Sequence, residues 1–413
     1  MRTIQLGIFG LKRGTENLES ILANNGEIVA LCDRDEALMK SIADKLPNDP
    51  ACYTDFDAFL QHEGMEAVYL ANHFNEHAPF AIKCLEKDIH VISECTSNGT
   101  MAEGVALVRA AEKSKAIYMF GENYQYTQYN QEMREIYRSG KMGRVMFAEG
   151  EYNHPGKPGD MSSAKWLKPT AKHWRNYTPG TYYLTHSLGP LMYITGSNPV
   201  RVTAFPIVSH EPLVKQSSDR MAVITCLNDD DSVFRITGCA NFGFHESSYR
   251  VCGTKGQMEN IRGGDGKLMV HYNEWDIPEG EEVQRYYKPE WPADVQDMIP
   301  VVERAGHWGG DFFMFKIFFE CIRENKQPVF DVYVGTTNAS VAILSHRSLL
   351  EGGVPYDIPD FHKEEDRVKY ENDWQTPFYG ADGSEPTMAC GSKADYRPDP
   401  ELYAKYLEAI GEK

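Results

Sequence analysis

Positive charge is scarce in this chain. Its 42 lysines and arginines face 60 aspartates and glutamates, leaving a formal charge of −18 over 413 residues. Such a chain repels a nucleic-acid backbone and an anionic membrane surface, so neither is expected as a partner. No apolar run reaches the roughly eighteen residues of a transmembrane helix. The opening segment, MRTIQLGIFG, enters a strand-like run without the apolar stretch and cleavage site of a signal peptide. The nine cysteines, at 32, 52, 84, 95, 226, 239, 252, 321 and 390, are scattered, odd in number and form no Cys-x-x-Cys pair. A disulfide framework is thereby disfavoured, and a cytoplasmic protein with reduced thiols is expected. Internal repeats and low-complexity blocks are also missing.

The first 120 or so residues alternate between short apolar runs and helical spacing. TIQLGIFG, EIVALC, AVYLA, HVIS and AIYMF have strand length, while ENLESILANN, EALMKSIADKL and HAPFAIKCLEK repeat apolar residues every three or four positions. Thr100-Met-Ala-Glu103 predicts a capping box opening the next helix. This rhythm predicts an α/β Rossmann sheet, parallel and covered on both faces, which binds ligands at the carboxyl ends of its strands. Beyond about residue 143, runs such as VMFAEGEYNH, RVTAFPIV, MAVITCL and SVFRITGCAN are joined by short turns, predicting a large open, mainly antiparallel sheet. Two helical segments return late, GGDFFMFKIFFECIREN and DVYVGTTNASVAILSHRSLLEGG, and a Pro-, Gly- and acid-rich tail ends in ELYAKYLEAI. The expected domains are 1–122, binding a nucleotide; 123–360, an α/β domain; and 361–413, an irregular tail.

A dinucleotide fingerprint requires Gly-x-Gly-x-x-Gly between the first strand and helix. Here Gly10 fits the first place, Lys12 stands at the second, and the last glycine is at 14 rather than 15. An ordinary strand-to-helix turn would look similar. Asp33, ending the second strand, is the residue type that accepts hydrogen bonds from ribose hydroxyls and repels a 2′-phosphate, which favours NAD; the adjacent Arg34 leaves NADP open. Lys12 would place positive charge near the pyrophosphate.

The chain resembles the Gfo/Idh/MocA family of nicotinamide-dependent oxidoreductases over nearly its full length. ANHFNEHAPFAIKCLEKDIHVISE, GKMGRVMFAEGEY and SYRVCGTKGQMEN carry the resemblance, and within the family GTYYLTHSLGPLMYITG, GHWGGDFF and QPVFDVYVGTTNASVAILSHRSLLEGGVPYDIPDF are similar to the branch of NAD-dependent α-N-acetylgalactosaminidase-type glycosidases. The resemblance implies NAD as cofactor, a sugar or glycoside as small-molecule partner, and a homo-oligomer, dimer or tetramer. It implies cofactor positions at Gly10, Lys12, Arg13, Asp33, Arg34, Asn72, Asn75, His77 and Glu94. Dehydrogenases of the family usually carry Glu-Lys-Pro and an aspartate four residues before the histidine; this chain has Cys95 and Tyr182 at those places. A Lys–Asp–His proton relay cannot be transferred to it.

Oxidising a secondary alcohol needs a base for the hydroxyl proton, and an imidazole suits that work. His186 is the candidate base; a histidine capping the following helix would read the same way, and the helix N-terminus would keep either one neutral. Tyr124 and Glu94 are further catalytic candidates at the ligand-binding edge, against packing or ribose contact. Tyr126, Trp174, Arg175, His307 and Asp311 are candidate sugar contacts, against core aromatics, an exposed loop and a helix cap. Cys95 has no basic neighbour in sequence and reads as a small packed residue. The segment Glu149-Gly-Glu151-Tyr-Asn-His154 reads as an alternating solvent face, and no metal site is expected. The leading expectation is oxidation of a ring hydroxyl, at C3, of a sugar or glycoside; the alternatives are a glycosidase that oxidises, eliminates, hydrates and reduces, or a non-catalytic NAD or sugar sensor.

Overall fold

A computed structural model describes residues 1–412 apart from 157–160, 163, 165–168 and 210–213. The chain divides into two compact units, the first of residues 1–131, 290–336 and 361–372, the second of residues 132–289, 337–360 and 373–413.

The first unit is built on six strands: β1 (Ile4–Phe9), β2 (Gly26–Cys32), β3 (Ala51–Tyr53), β4 (Ala67–Leu70), β5 (His90–Ser93) and β6 (Tyr118–Phe120), in the order β3-β2-β1-β4-β5-β6. Every pairing is parallel. All four residues of β4 are buried, as a strand covered on both faces requires. The helix Met101–Lys113 opens on the expected capping box, with Glu103 N donating to Thr100 Oγ1 at 3.2 Å and Thr100 N to Glu103 Oε2 at 3.0 Å.

The late helix Gly310–Glu324 returns to this unit, which the linear domain boundaries at 122 and 360 do not anticipate. Its phenylalanines explain the return. Phe312, Phe313, Phe315, Phe318 and Phe319 are all buried, and each such side chain contributes about 1.5–3 kcal/mol on leaving water. The Phe315 ring meets Tyr69 edge-on at 5.0 Å, and Asn24 Nδ2 donates to the Phe312 carbonyl at 3.2 Å. Residues 361–372 join the same unit through Arg367, whose Nη1 bonds Glu112 Oε2 at 2.8 Å.

The second unit carries nine strands: β7 (Val145–Asn153), β8 (Pro199–Val208), β9 (Asp219–Asn228), β10 (Val233–Ala240), β11 (Glu246–Gly253), β12 (Gly256–Asn260), β13 (Leu268–Tyr272), β14 (Gln284–Tyr287) and β15 (Tyr356–Asp357). Their order is β14-β13-β12-β11-β7-β10-β9-β8-β15, antiparallel throughout except for the central pair β7 and β10. The helix Thr185–Thr195 lies directly on β7, where an ideal Cβ on Gly150 would fall 2.2 Å from the Ser187 carbonyl oxygen. Only glycine permits that approach. Among the described residues, no helix is long and apolar enough to cross a membrane.

Candidate functional site

In the first unit, β1 ends at Phe9 and the chain turns through Gly10 at φ 91° into the single helical turn Leu11–Gly14. A Cβ on Gly10 would sit 2.5 Å from the Ala71 carbonyl group and 2.6 Å from Asn72 N, so the cradle at the carboxyl end of β1 exists only with glycine. Asp33 is anchored beside it: Oδ2 accepts from Leu11 N at 2.7 Å and Oδ1 from Asp35 N at 3.0 Å. Asn72 is bonded through Nδ2 to the Glu76 carbonyl at 3.4 Å, while its buried Oδ1 has no partner. A glycine cradle, an anchored carboxylate and an unsatisfied buried oxygen at one strand edge fit a dinucleotide. Lys12 and Asn75 are part-buried at this end and Arg34 is exposed. His77, by contrast, is buried, and its Nδ1–H donates to the Thr96 carbonyl at 2.8 Å; burial lowers its pKa, so it stands as a neutral brace for the turn after β5.

Glu94, Arg13, His307 and Asp311 come together in one polar cluster. Arg13 donates from Nε to Glu94 Oε1 at 2.8 Å, from Nη1 to Glu16 Oε2 at 2.9 Å and from Nη2 to Asp311 Oδ1 at 3.1 Å. Tyr69 OH donates to Glu94 Oε1 at 2.6 Å, and Asn123 Nδ2 to Asp311 Oδ1 at 2.7 Å. His307 Nδ1 lies 3.0 Å from Asp311 Oδ2. Burial opposes ionisation of Asp311, but the charges of Arg13 and His307 hold it well below the usual carboxylate range. The same burial opposes protonation of His307, and Asp311 reverses it, raising the imidazole above its ordinary value. Asp311 therefore spends its oxygens inside the unit, holding Arg13, and lies within the helix rather than at its cap.

Tyr124 and Tyr126 form a tight turn after β6, and both are buried. The Tyr124 ring meets His307 at 5.4 Å and Trp308 at 5.9 Å, both edge-on. His307 and Trp308 hold φ of 55° and 51°, left-handed values that cost a non-glycine residue of order 1 kcal/mol or more each. Cys95 Sγ donates to Glu122 Oε2 at 3.3 Å, and Glu122 Oε1 accepts from the backbone of Asn123 and Tyr124. A thiol facing a carboxylate is in the opposite setting from a reactive thiolate, which needs positive charge nearby.

His186 lies in the second unit, in the first turn of the helix Thr185–Thr195 and buried. It is not the cap, since Leu184 holds that place. The motif Thr185-His-Ser-Leu-Gly-Pro190 carries a physical device. Proline at 190 lacks the N–H that would normally bond the carbonyl of His186, four residues earlier. That carbonyl instead accepts from Tyr249 OH at 2.5 Å, pinning the histidine to β11. The imidazole meets the rings of Tyr152 at 4.8 Å and Tyr183 at 5.3 Å. His154 follows on the same strand face, its ring 4.6 Å from that of His245.

The strand segment EGEYNH is thus two faces rather than one solvent face. Glu149 bonds Arg235 and Arg250, and Glu151 bonds Arg262 at 2.7 Å; Tyr152 and His154 turn to the opposite side, with His186. Trp174 and Arg175 sit in a tight turn capped by His173, with the Arg175 guanidinium 4.6 Å from the Trp174 ring centre. Tyr182, at the place of the family aspartate, is buried against His346 and Phe378 as a core aromatic. Sequence reasoning missed Tyr152, Tyr183, His245 and Lys215. The alternation in EGEYNH and the doubled tyrosine before THSLGP were signals for the first two; nothing local marks the others. Among the described residues, no group of three or more His, Cys, Asp or Glu is placed to hold a metal ion.

Family models match almost the whole chain in succession: the oxidoreductase family with NAD-binding Rossmann fold over residues 4–122, the GFO/IDH/MocA C-terminal domain over 130–259, and the glycosyl hydrolase 109 C-terminal domain over 222–367. A glycosyl hydrolase family 109 protein of Saccharopolyspora erythraea is 26% identical, with 93% of this chain and 87% of the relative covered. Another from Shewanella sp. strain MR-4 is 24% identical over 87% and 85%. Among solved structures, levoglucosan dehydrogenase in complex with NADH and levoglucosan has the same fold, with a TM-score of 0.72 at 16% identity over 87% of this chain and all of the other. Aldose-aldose oxidoreductase from Caulobacter crescentus, complexed with glycerol, gives 0.69 at 17% identity over 86% and 100%. The nucleotide cradle of the first unit, the open sheet and histidine helix of the second, and these matches together place the chain in the Gfo/Idh/MocA family of NAD-binding oxidoreductases, with a C-terminal domain of the glycosyl hydrolase 109 type.

Proposed function

We propose that the protein oxidises a ring hydroxyl of a sugar or glycoside, at C3, with His186 as the base. The carrying observation is the held imidazole: a buried histidine pinned through its own carbonyl by Tyr249, its ring walled by Tyr152 and Tyr183. A base fixed in this way loses little orientational freedom when it takes a hydroxyl proton. Bound NAD supplies the hydride acceptor. Gly10 and Lys12 would receive its pyrophosphate, Asp33 its ribose hydroxyls, and Arg34, Asn72 and Asn75 lie at the same edge. Glu94 serves by holding Arg13, and His77 by bracing residues 95–97. Tyr124 with His307, and Trp174 with Arg175, are the surfaces proposed to meet the sugar; Tyr126 supports Tyr124. The test is direct: release and identify the nucleotide from denatured protein, then follow NADH absorbance against a panel of sugars and glycosides. His186→Gln should abolish the signal. A panel that never reduces NAD in the wild type overturns the reading and favours a sensor.

A second reading is favoured by one observation, the match of residues 222–367 to the glycosyl hydrolase 109 domain. In it the C3 ketone acidifies the C2 proton, the aglycone leaves C1, water adds, and the hydride returns. Released aglycone with solvent deuterium at C2, and no net NADH, would establish that outcome; stoichiometric NADH would exclude it.

A further inference from the structure

On one face of the second unit's sheet three cations are neutralised: Arg235 and Arg250 share Glu149, and Arg262 takes Glu151. The face carrying His186 is different. In β10 the register shifts between Ile236 and Cys239, which brings Cys239 level with Tyr152, beside the imidazole. Lys215 lies close enough to Cys239, Arg175 and Arg220 for their charges to act on it. The Gln216 amide donates to the Asn176 carbonyl at 2.9 Å, so the segment carrying Lys215 is tied to the turn carrying Arg175. Neither Lys215 nor the Arg175 guanidinium has an ion-pair partner among the described residues.

The same bias extends to the histidines. Burial and then the neighbouring charges of His245, His186 and Arg175 lower the pKa of His154. Lys215 is lowered chiefly by burial; Cys239 opposes this, and the two arginines add to it. A part-buried lysine with no ion-pair partner among the described residues, in a chain of −18, is costly unless an anion arrives to complete it.

We propose that this face receives a saccharide bearing an oxyanion, a carboxylate or sulfate substituent, whose charge is taken by Lys215 and Arg175. The proposal deepens the sugar-oxidation reading and rests on it for the neutral part of the substrate. It also sets the order of contacts: Arg175 and Lys215 anchor the anionic group, while Tyr152, Tyr183 and His186 meet the ring.

The test uses NAD-loaded protein and matched sets of methyl glycosides, methyl glycosiduronates and sulfated methyl glycosides in several ring configurations. Calorimetry at low and raised salt reads binding, and NADH absorbance reads turnover. At least one anionic member should bind roughly ten-fold or more tightly than its neutral parent, as a charge-assisted contact supplies, and that preference should shrink with salt. Lys215→Met should remove most of the preference and Lys215→Arg should restore it. Should Lys215→Met fail to fold, the salt dependence of the wild type decides. A carboxylate-only preference identifies a uronate, a sulfate-only preference a sulfated sugar. Equal binding of anionic and neutral members in every set overturns the proposal, as does no binding of any anionic member. An anionic sugar that binds but never reduces NAD would sink the redox reading and leave the anion site standing; neutral sugars that reduce NAD without anionic preference would do the reverse.

Discussion

Removing one hydroxyl, in Tyr249→Phe, tests how the proposed base is held. Tyr249 and the His186 carbonyl are both buried, and their hydrogen bond is 2.5 Å long. Because Pro190 contributes no N–H, deleting the hydroxyl takes away the donor that replaces the helical one. A buried carbonyl stranded in this way costs about 1–3 kcal/mol, which corresponds to a rise of roughly 5- to 150-fold in local opening. Amide exchange read by mass spectrometry on peptides covering 185–195 measures that opening directly. The decisive control is Pro190→Ala, which returns an N–H to the same carbonyl. In the Pro190→Ala background, Tyr249→Phe should cost much less, giving a coupling of about 1 kcal/mol or more between positions 59 residues apart in sequence. If the two substitutions add within about 0.5 kcal/mol, the carbonyl exchange is not what holds His186, and the account of the Thr-His-x-Leu-Gly-Pro motif fails.

Three further outcomes follow. Gly150→Ala drives a methyl group to 2.2 Å from the Ser187 carbonyl oxygen, so the helix must move; stability should fall by about 1–3 kcal/mol in thermal unfolding and turnover by roughly ten-fold or more, whereas an alanine variant matching the wild type in both would refute the close approach. His307, raised by Asp311, carries a stabilising contribution that is full below its unfolded pKa of about 6.5 and fades as pH climbs through the raised folded value; ring-proton NMR should show that elevated titration, and Asp311→Asn should abolish the elevation. Cys95→Ser keeps a donor toward Glu122, so turnover should stay within about two-fold, the span of about 0.5 kcal/mol expected of a quiet substitution; a loss of hundreds-fold would make the thiol a participant.

Much of the scaffold could be read from local pattern. Strand–helix alternation specifies the six parallel strands because each unit of it can bury its faces in only one arrangement, and Thr100 with Glu103 marks a helix start by a contact three residues long. Lost to the reading were features set by distant partners. Arg13 meets Asp311 across 298 residues, so its commitment to an internal ion pair has no local signature. The Phe-rich helix Gly310–Glu324 announces an apolar face but not which sheet it covers. Lys215 sits in an ordinary polar segment and acquires its setting only through the register shift in β10 and the turn at Arg175. Tyr182 and Tyr183 adjoin in sequence, yet one packs in the core against Phe378 and the other against His186.

The cysteine at 95 becomes intelligible once the charges of the first unit are counted by their partners. A lysine there would be a cation beside the buried Glu122, whose second oxygen already accepts two backbone N–H groups. With a thiol in its place, Arg13 remains a cation at the strand edge, and Glu94 and Asp311 fix it. Neither cysteine nor a saturated guanidinium can accept a proton from an alcohol at neutral pH while so paired. His186, the proposed base, lies in the second unit with both an anchored backbone and an aromatic wall. Losing the lysine is therefore compatible with the proposed reaction, in which the motif Thr-His-x-Leu-Gly-Pro fixes His186 through its backbone carbonyl.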